Sequence, residues 1–186
     1  MAEEPRFESP VVAVYDTSAD APLLLADESA LRKTIVRADA SSYPAAQLGV
    51  DFGASRVLDD VLVCGQRPGE WILLGTIEAN DTLASDLDSS GHVSLIDHTH
   101  ARALFRLTGS DAARTLEKLC DLDWSDPMTP DGAVTSGVVA RVNCDLVRND
   151  RAGSPSYLIM CDRSFGQYLF DALLDAGTEF EIAVAP

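Results

Sequence analysis

Basic residues are the scarce commodity in this 186-residue chain: two lysines and twelve arginines stand against thirty acidic side chains, a formal net charge of −16. A surface so poor in cations cannot displace counterions from a nucleic-acid backbone or hold an anionic membrane. Nucleic acid and membrane are therefore set aside as partners. No run of eighteen apolar residues is present, so no segment reads as a membrane span. The first residues, Met-Ala-Glu-Glu-Pro, lack both a basic and an apolar signal-peptide region, and the expected address is cytoplasmic.

Paired cysteines are missing too. Cys64, Cys120, Cys144 and Cys161 are far apart with no C-x-x-C, which reads as four small buried hydrophobes rather than disulfides or a metal site. No two glycines are spaced G-x-G, and no Walker loop, nucleophile elbow or H-E-x-x-H occurs. A self-contained dinucleotide or flavin site with a glycine-rich phosphate turn is thereby excluded.

What is present suffices for a globular protein, with 46% hydrophobic residues and enough length to bury roughly 70% of the unfolded surface. Residues 1–29 carry seven acids, one base and three prolines, and are expected to form an acidic, loosely ordered arm with a short strand at Val11–Tyr15. Strands are expected at Thr34–Arg37, Val57–Cys64 and Trp71–Leu74, the last two joined by the turn GQRPGE. Thr76 is placed to cap a helix ending at Gly91. A strand at Ala103–Leu107 leads to a helix capped by Ser110 and ending near Cys120, and a proline-bearing loop covers Asp121–Gly132. From Val134 to Leu146 apolar and polar residues alternate, which reads as one long antiparallel strand bent near Gly137. Tyr157–Cys161 is its return strand. Asp162 is placed to cap the final amphipathic helix, and Gly177 to stop it.

At a shift of 86 residues the chain repeats weakly. With Trp71 set on Tyr157, Leu83 meets Leu169, Leu87 meets Leu173 and Gly91 meets Gly177. The fold class that follows is α+β: two small pseudo-repeated lobes of antiparallel sheet with helices packed on one face, the first over 30–91 and the second over 92–186.

Candidate chemistry is thin. His92, His98 and His100 cluster, and H-x-H spacing puts two imidazoles on one side of a strand, as a metal site requires. No third ligand accompanies them, so the plainer reading is a polar lead-in to the Ala103 strand. A metal-dependent hydrolase built on His98 and His100 is the corresponding minor reading. Asp97 and Asp111 have the right chemistry for catalytic carboxylates, though Asp111 suits a helix-dipole role better. Arg163, Arg102 and Arg106 are the cations to watch for an anionic ligand, with folate polyglutamate or another carboxylate at Arg163 beside the Asp162 helix start. Arg141, Asn143 and Asp145 on the polar side of the long strand suit a docking surface. The Asn80-Asp81-Thr82 sequon has no glycosylation meaning in a cytoplasmic chain.

Four segments, LGVDFGASRV, CGQRPGEWILLG, IDHTHARALFRLTGSDAARTLEKLCDLDW and YLIMCDRSFGQYLFDALLDAGTEFEI, occur in that order over about residues 31–182. They resemble the gamma subunit of heterotetrameric sarcosine oxidase. The pieces RLTGSDAARTLEKLC and DRSFGQYLFDALLDA also resemble, more weakly, the aminomethyltransferase superfamily. The resemblance implies an aminomethyltransferase-like folate-binding fold without catalytic, cofactor or metal residues of its own. It implies alpha, beta and delta partners carrying FAD, FMN, NAD, tetrahydrofolate and a zinc site, in an enzyme that demethylates sarcosine to glycine. The alternative it leaves is a small tetrahydrofolate-dependent aminomethyl or methyl transferase, or half of one.

Overall fold

The computed structural model describes residues 7–12, 21–39, 41–88 and 92–185. In chain order its elements are β1 (Leu23–Asp27), β2 (Arg32–Ala38), α1 (Tyr43–Leu48), β3 (Ser55–Leu58), β4 (Val61–Arg67), β5 (Glu70–Gly75), α2 (Ile77–Asp88), β6 (Val93–Asp97), β7 (Arg102–Gly109), α3 (Ala112–Glu117), β8 (Val134–Val139), β9 (Val142–Arg148), β10 (Ser156–Asp162), α4 (Gly166–Gly177) and β11 (Ile182–Ala185). After β1 the order β-α-β-β-β-α-β occurs twice, which is the 86-residue repeat made structural. The first round builds a sheet ordered β3-β4-β5-β2-β6 and the second a sheet ordered β11-β1-β7-β10-β9-β8.

Alternation along the strands sorts the side chains into three cores. Val61, Val63, Trp71 and Leu73 face α1 and α2, where Leu48, Leu83 and Leu87 meet them. Phe105, Leu107, Tyr157 and Ile159 face α3 and α4 with Leu116, Leu169, Phe170 and Leu173. The residues of opposite parity, Leu62, Cys64, Ile72 and Leu74 on one sheet and Leu104, Val147, Leu158 and Met160 on the other, pack sheet on sheet. The molecule is thus layered helix, sheet, sheet, helix. Trp71 with Leu83 and Leu87, and Tyr157 with Leu169 and Leu173, occupy equivalent places in the two outer cores.

Several expectations are corrected. The arm does not extend to residue 29: Leu23–Asp27 lies inside the second sheet, antiparallel to β7 and parallel to β11, with Leu23 and Leu25 fully buried. The lobe boundary also moves, because β6 pairs with β2 of the first sheet. The expected strand at Val11–Tyr15 falls partly outside the described residues, and Val11 and Val12 carry no strand.

The supposed long strand is a hairpin. Val139 pairs with Val142 across Ala140 and Arg141, whose φ values of 46° and 69° are the double left-handed signature of a type I′ turn. Val57–Cys64 is likewise two strands, folded at Asp59 and Asp60 with φ of 48° and 63°. Neither turn carries glycine, so neither shows the usual hairpin signal.

Helix ends differ as well. Thr76 does cap α2, its Oγ1 accepting from the Ala79 N–H at 3.3 Å, whereas the Gly91 stop lies outside the described residues. Ser110 instead bonds to Asp111, and Asp111 takes the cap position of α3 without a side-chain cap bond. Asp162 precedes a 3-10 turn at Arg163–Phe165 and makes no cap bond. Gly177 does not stop the last helix, which continues as a 3-10 turn to a left-handed Glu181. A glycine is needed at 177 for space: a Cβ there meets Ile182 Cδ1 at 2.6 Å. No helix among the described residues is long and apolar enough to cross a membrane.

Candidate functional site

On β7 and β9 the face turned toward the first lobe is apolar in the middle, at Leu104 and Val147, and polar at its ends. At one end Arg102 donates through Nη2 to Asp145 at 2.6 Å and through Nη1 to Asp162 at 3.3 Å. Ser136 donates to the other Asp145 oxygen at 2.9 Å. The Arg102 Nε–H is buried and has no partner among the described residues. These groups, with Arg67, Gly137, Val138 and Asn143, line a cleft of about 440 Å³ between the lobes.

Arg67 reaches this cleft from the other sheet. It pairs with Glu70, which also accepts from Arg37 at 2.6 Å. The ladder explains the triad: Glu70 is the register partner of Arg37 on β2 and of Arg67 on β4, beside the bulge between Gly65 and Arg67. Burial opposes the charged form of Glu70, but hydrogen bonds and charge from the two arginines outweigh it and hold its carboxyl below the usual range.

At the other end of the same face Arg106 is committed. It donates to Glu28 at 2.8 Å, to Ser156 Oγ at 3.0 Å and to Asn149, and Glu28 also holds Arg151. Burial lowers the Arg106 pKa against the opposing pull of Glu28. This cation ties the segment between β1 and β2 to the second lobe. Beside it lies a residue the sequence did not flag, Lys33. It is fully buried, donating to the carbonyls of Ser29 and Leu31 at 2.7 and 2.9 Å. Burial pushes its pKa down to about 8 despite Asp27 and Asp97.

At Arg163, where an anion site is expected, part of the guanidinium is used within the chain, while Nη1 is buried with no partner among the described residues. Arg163 donates to the Glu8 carbonyl and lies 5.6 Å over the Phe7 ring, which also packs against His100 at 5.5 Å. His98 and His100 sit in the turn between β6 and β7 rather than on a strand, because Ala101 and Arg102 both donate to the His98 carbonyl. His92 is exposed just before β6, and no three metal-ligating side chains come together among the described residues. Asp97 is paired with Arg32 at 2.9 Å and accepts from the Thr99 N–H. Asp111 is paired with Arg114 at 2.7 Å. All four cysteines are buried and free. Asn80 is structural: fully buried, it accepts from Thr34 at 2.7 Å and donates to the Leu73 carbonyl at 2.9 Å, tying α2 to its sheet.

The structure therefore gathers Arg102, Asn143 and Asp145 from the expected residues, and adds Arg67, Arg37 and Glu70. Only the cross-strand register could have revealed those additions. Asp145 is occupied by Arg102, so the Ser136–Asp145 contact is no nucleophile with a free base. The chemistry this cleft offers is recognition through guanidinium, amide and hydroxyl donors.

Comparison with known proteins follows the same lines. Residues 53–185 match the GCVT N-terminal domain family. A chain of the heterotetrameric sarcosine oxidase from Corynebacterium sp. U-96, solved in complex with pyrrole 2-carboxylate, superposes with a TM-score of 0.72 at 23% identity, covering 88% of each chain. The glycine cleavage system aminomethyltransferase T from Bartonella henselae superposes at 0.68 with 16% identity, covering 89% of this chain and 48% of that one. No curated protein sequence matches. At these identities the superpositions show the shared fold, and the family match supplies the kinship. Since that match runs from the loop before β3 to the end of β11, the chain belongs to the GCVT N-terminal domain family.

Proposed function

We propose that this chain is a non-catalytic, gamma-type subunit of a sarcosine oxidase-like complex. The observation that carries the reading is likeness: the sarcosine oxidase chain superposes with a TM-score of 0.72 at 23% identity, against 0.68 at 16% for the aminomethyltransferase. The cleft supports it, because its charged side chains are engaged with each other and serve recognition. In this reading FAD, FMN, NAD and tetrahydrofolate reside on alpha- and beta-type partners, a delta-type subunit completes the assembly, and the address is cytoplasmic. The complex removes the methyl group of sarcosine, forming glycine and hydrogen peroxide and passing the one-carbon unit to tetrahydrofolate.

Purification of the tagged chain from its own cells tests this. Stoichiometric flavoprotein partners and sarcosine-dependent peroxide are the expected result; a stable chain without partners in native lysate overturns it. The family match favours one alternative, a tetrahydrofolate-binding aminomethyl or methyl transferase domain. Calorimetry of the isolated chain with tetrahydrofolate separates the two, since micromolar binding belongs to the transferase and its absence to the subunit.

A further inference from the structure

We infer that the arginine-fronted cleft at the β8–β9 turn end is a docking surface for an acidic segment of a partner protein. This rests on the reading of the chain as a subunit and names the face that its partner covers.

Charge is arranged there in depth. Glu70 and Asp145 lie underneath, their side chains 10% and 14% exposed, while Arg37 and Arg67 stand outward at 56% and 62%. In a chain of net charge −16 this end presents guanidinium groups to the outside. Asp162 is the one outward carboxylate of the cleft, at 66%, and it holds Arg102 only at 3.3 Å. The Arg102 Nε–H is buried without an acceptor among the described residues, a costly state that an acceptor entering the cleft relieves.

The frame is suited to a protein chain. Val139–Val142 closes the β8–β9 hairpin, so alternation turns the main-chain groups of Ser136 and Val138 away from β9. Neither finds a main-chain partner among the described residues. Val138 is 53% exposed at the cleft wall. Tyr168, 53% exposed, stands at the same turn, its hydroxyl donating to the Ala140 carbonyl at 3.0 Å. A polar centre that an apolar rim can seal from water is the anatomy of an interface hot spot. Electrostatic complementarity selects its occupant: a segment carrying Asp or Glu, whose carboxylate meets Arg67 at the cleft wall.

The test uses the complex as purified. A photoreactive benzoylphenylalanine replaces Val138 or Tyr168, and Ile77 on the first lobe serves as reference. The expected result is crosslinking from Val138 and Tyr168 to a partner peptide containing Asp or Glu, with none from Ile77. Arg67→Gln is expected to weaken assembly at least tenfold and to flatten its salt dependence, with Arg67→Lys recovering part of the loss. Arg114→Gln, an exposed arginine elsewhere, is expected to stay within twofold. Should Arg67→Gln disturb folding by freeing Glu70, Val138→Asp decides by the same tenfold criterion. Crosslinks confined to Ile77, or assembly unchanged in both variants, overturn the docking site and leave the subunit reading standing. If the unaltered chain assembles with no flavoprotein, both fall together.

Discussion

Lys33 shows how one side chain can tax a fold. Its ammonium is fully buried with two carbonyl acceptors among the described residues, and burial lowers its pKa from 10.5 to about 8. The native state thus disfavours the protonated form that the unfolded chain retains up to about pH 10.5. Below pH 8 both states hold the proton and the full penalty applies. Between pH 8 and 10.5 the unfolded chain binds more protons, so stability rises with pH. The gain across that window is about 2–3 kcal/mol. Urea unfolding at a series of pH values checks this: the wild type gains that amount relative to Lys33→Met between pH 7.5 and 10.5. Parallel curves for the two proteins overturn the assignment. Nothing in the sequence marked this lysine, since the strand Arg32–Ala38 shows its orientation only once both neighbouring strands are known. Arg102 and Arg106 were legible as scarce cations in an acidic chain; which of them faces a cleft and which is buried under Glu28 was not.

Elements were legible where periodicity was long and punctuation conventional. The helix over 166–177 and the turn at Pro68–Gly69 belong to that class. The two hairpins folded at Asp59–Asp60 and Ala140–Arg141 do not, because left-handed backbone is there imposed on residues that do not prefer it. A trace was present all the same. The apolar side chains facing the helices fall at Val139 before the turn and at Val142, Cys144 and Leu146 after it, so the parity changes across the turn, and that break marks the hairpin. Relieving the strain gives a direct test. Replacing Ala140 and Arg141 by Asn and Gly supplies the preferred type I′ pair, removing about 1–2 kcal/mol of left-handed strain and returning about half as glycine entropy. The net gain of about 1 kcal/mol raises Tm by roughly 2–4 °C in a chain this long. Calorimetry of the double variant reads it out, and an unchanged or lower Tm contradicts the turn assignment.

The whole molecule is two copies of one βαβββαβ unit locked together by a strand that belongs to neither copy's sequence order. β1 enters the second sheet between β7 and β11, and the chain then leaves to build the entire first lobe before returning at β7. The crossing is tight: Gly109 at the end of β7 has φ of 146°, and a Cβ there stands 2.2 Å from the Pro22 carbonyl. The 86-residue repeat could expose the two lobes, but no repeat-based reading can find an insertion with no counterpart in the other half, so residues 23–27 were absorbed into an acidic arm. That difference is measurable. A dispensable arm predicts that a chain beginning at Leu31 melts like the whole protein. The observed topology predicts otherwise, because such a chain loses Leu23 and Leu25, each about 1.5–3 kcal/mol when fully buried, and strips β11 of the strand it pairs with. Removing about 3–6 kcal/mol from a total of about 5–15 kcal/mol leaves the second lobe marginal or unfolded. The shortened chain also lacks Ser29 and Glu28, which takes a carbonyl acceptor from Lys33 and the carboxylate from Arg106. The expected outcome is loss of the near-ultraviolet circular dichroism of the Trp124–Tyr157 edge-on pair and of a single cooperative transition. A cooperative melt of the chain beginning at Leu31, within 3 °C of the whole, shows that the second sheet does not need its first strand.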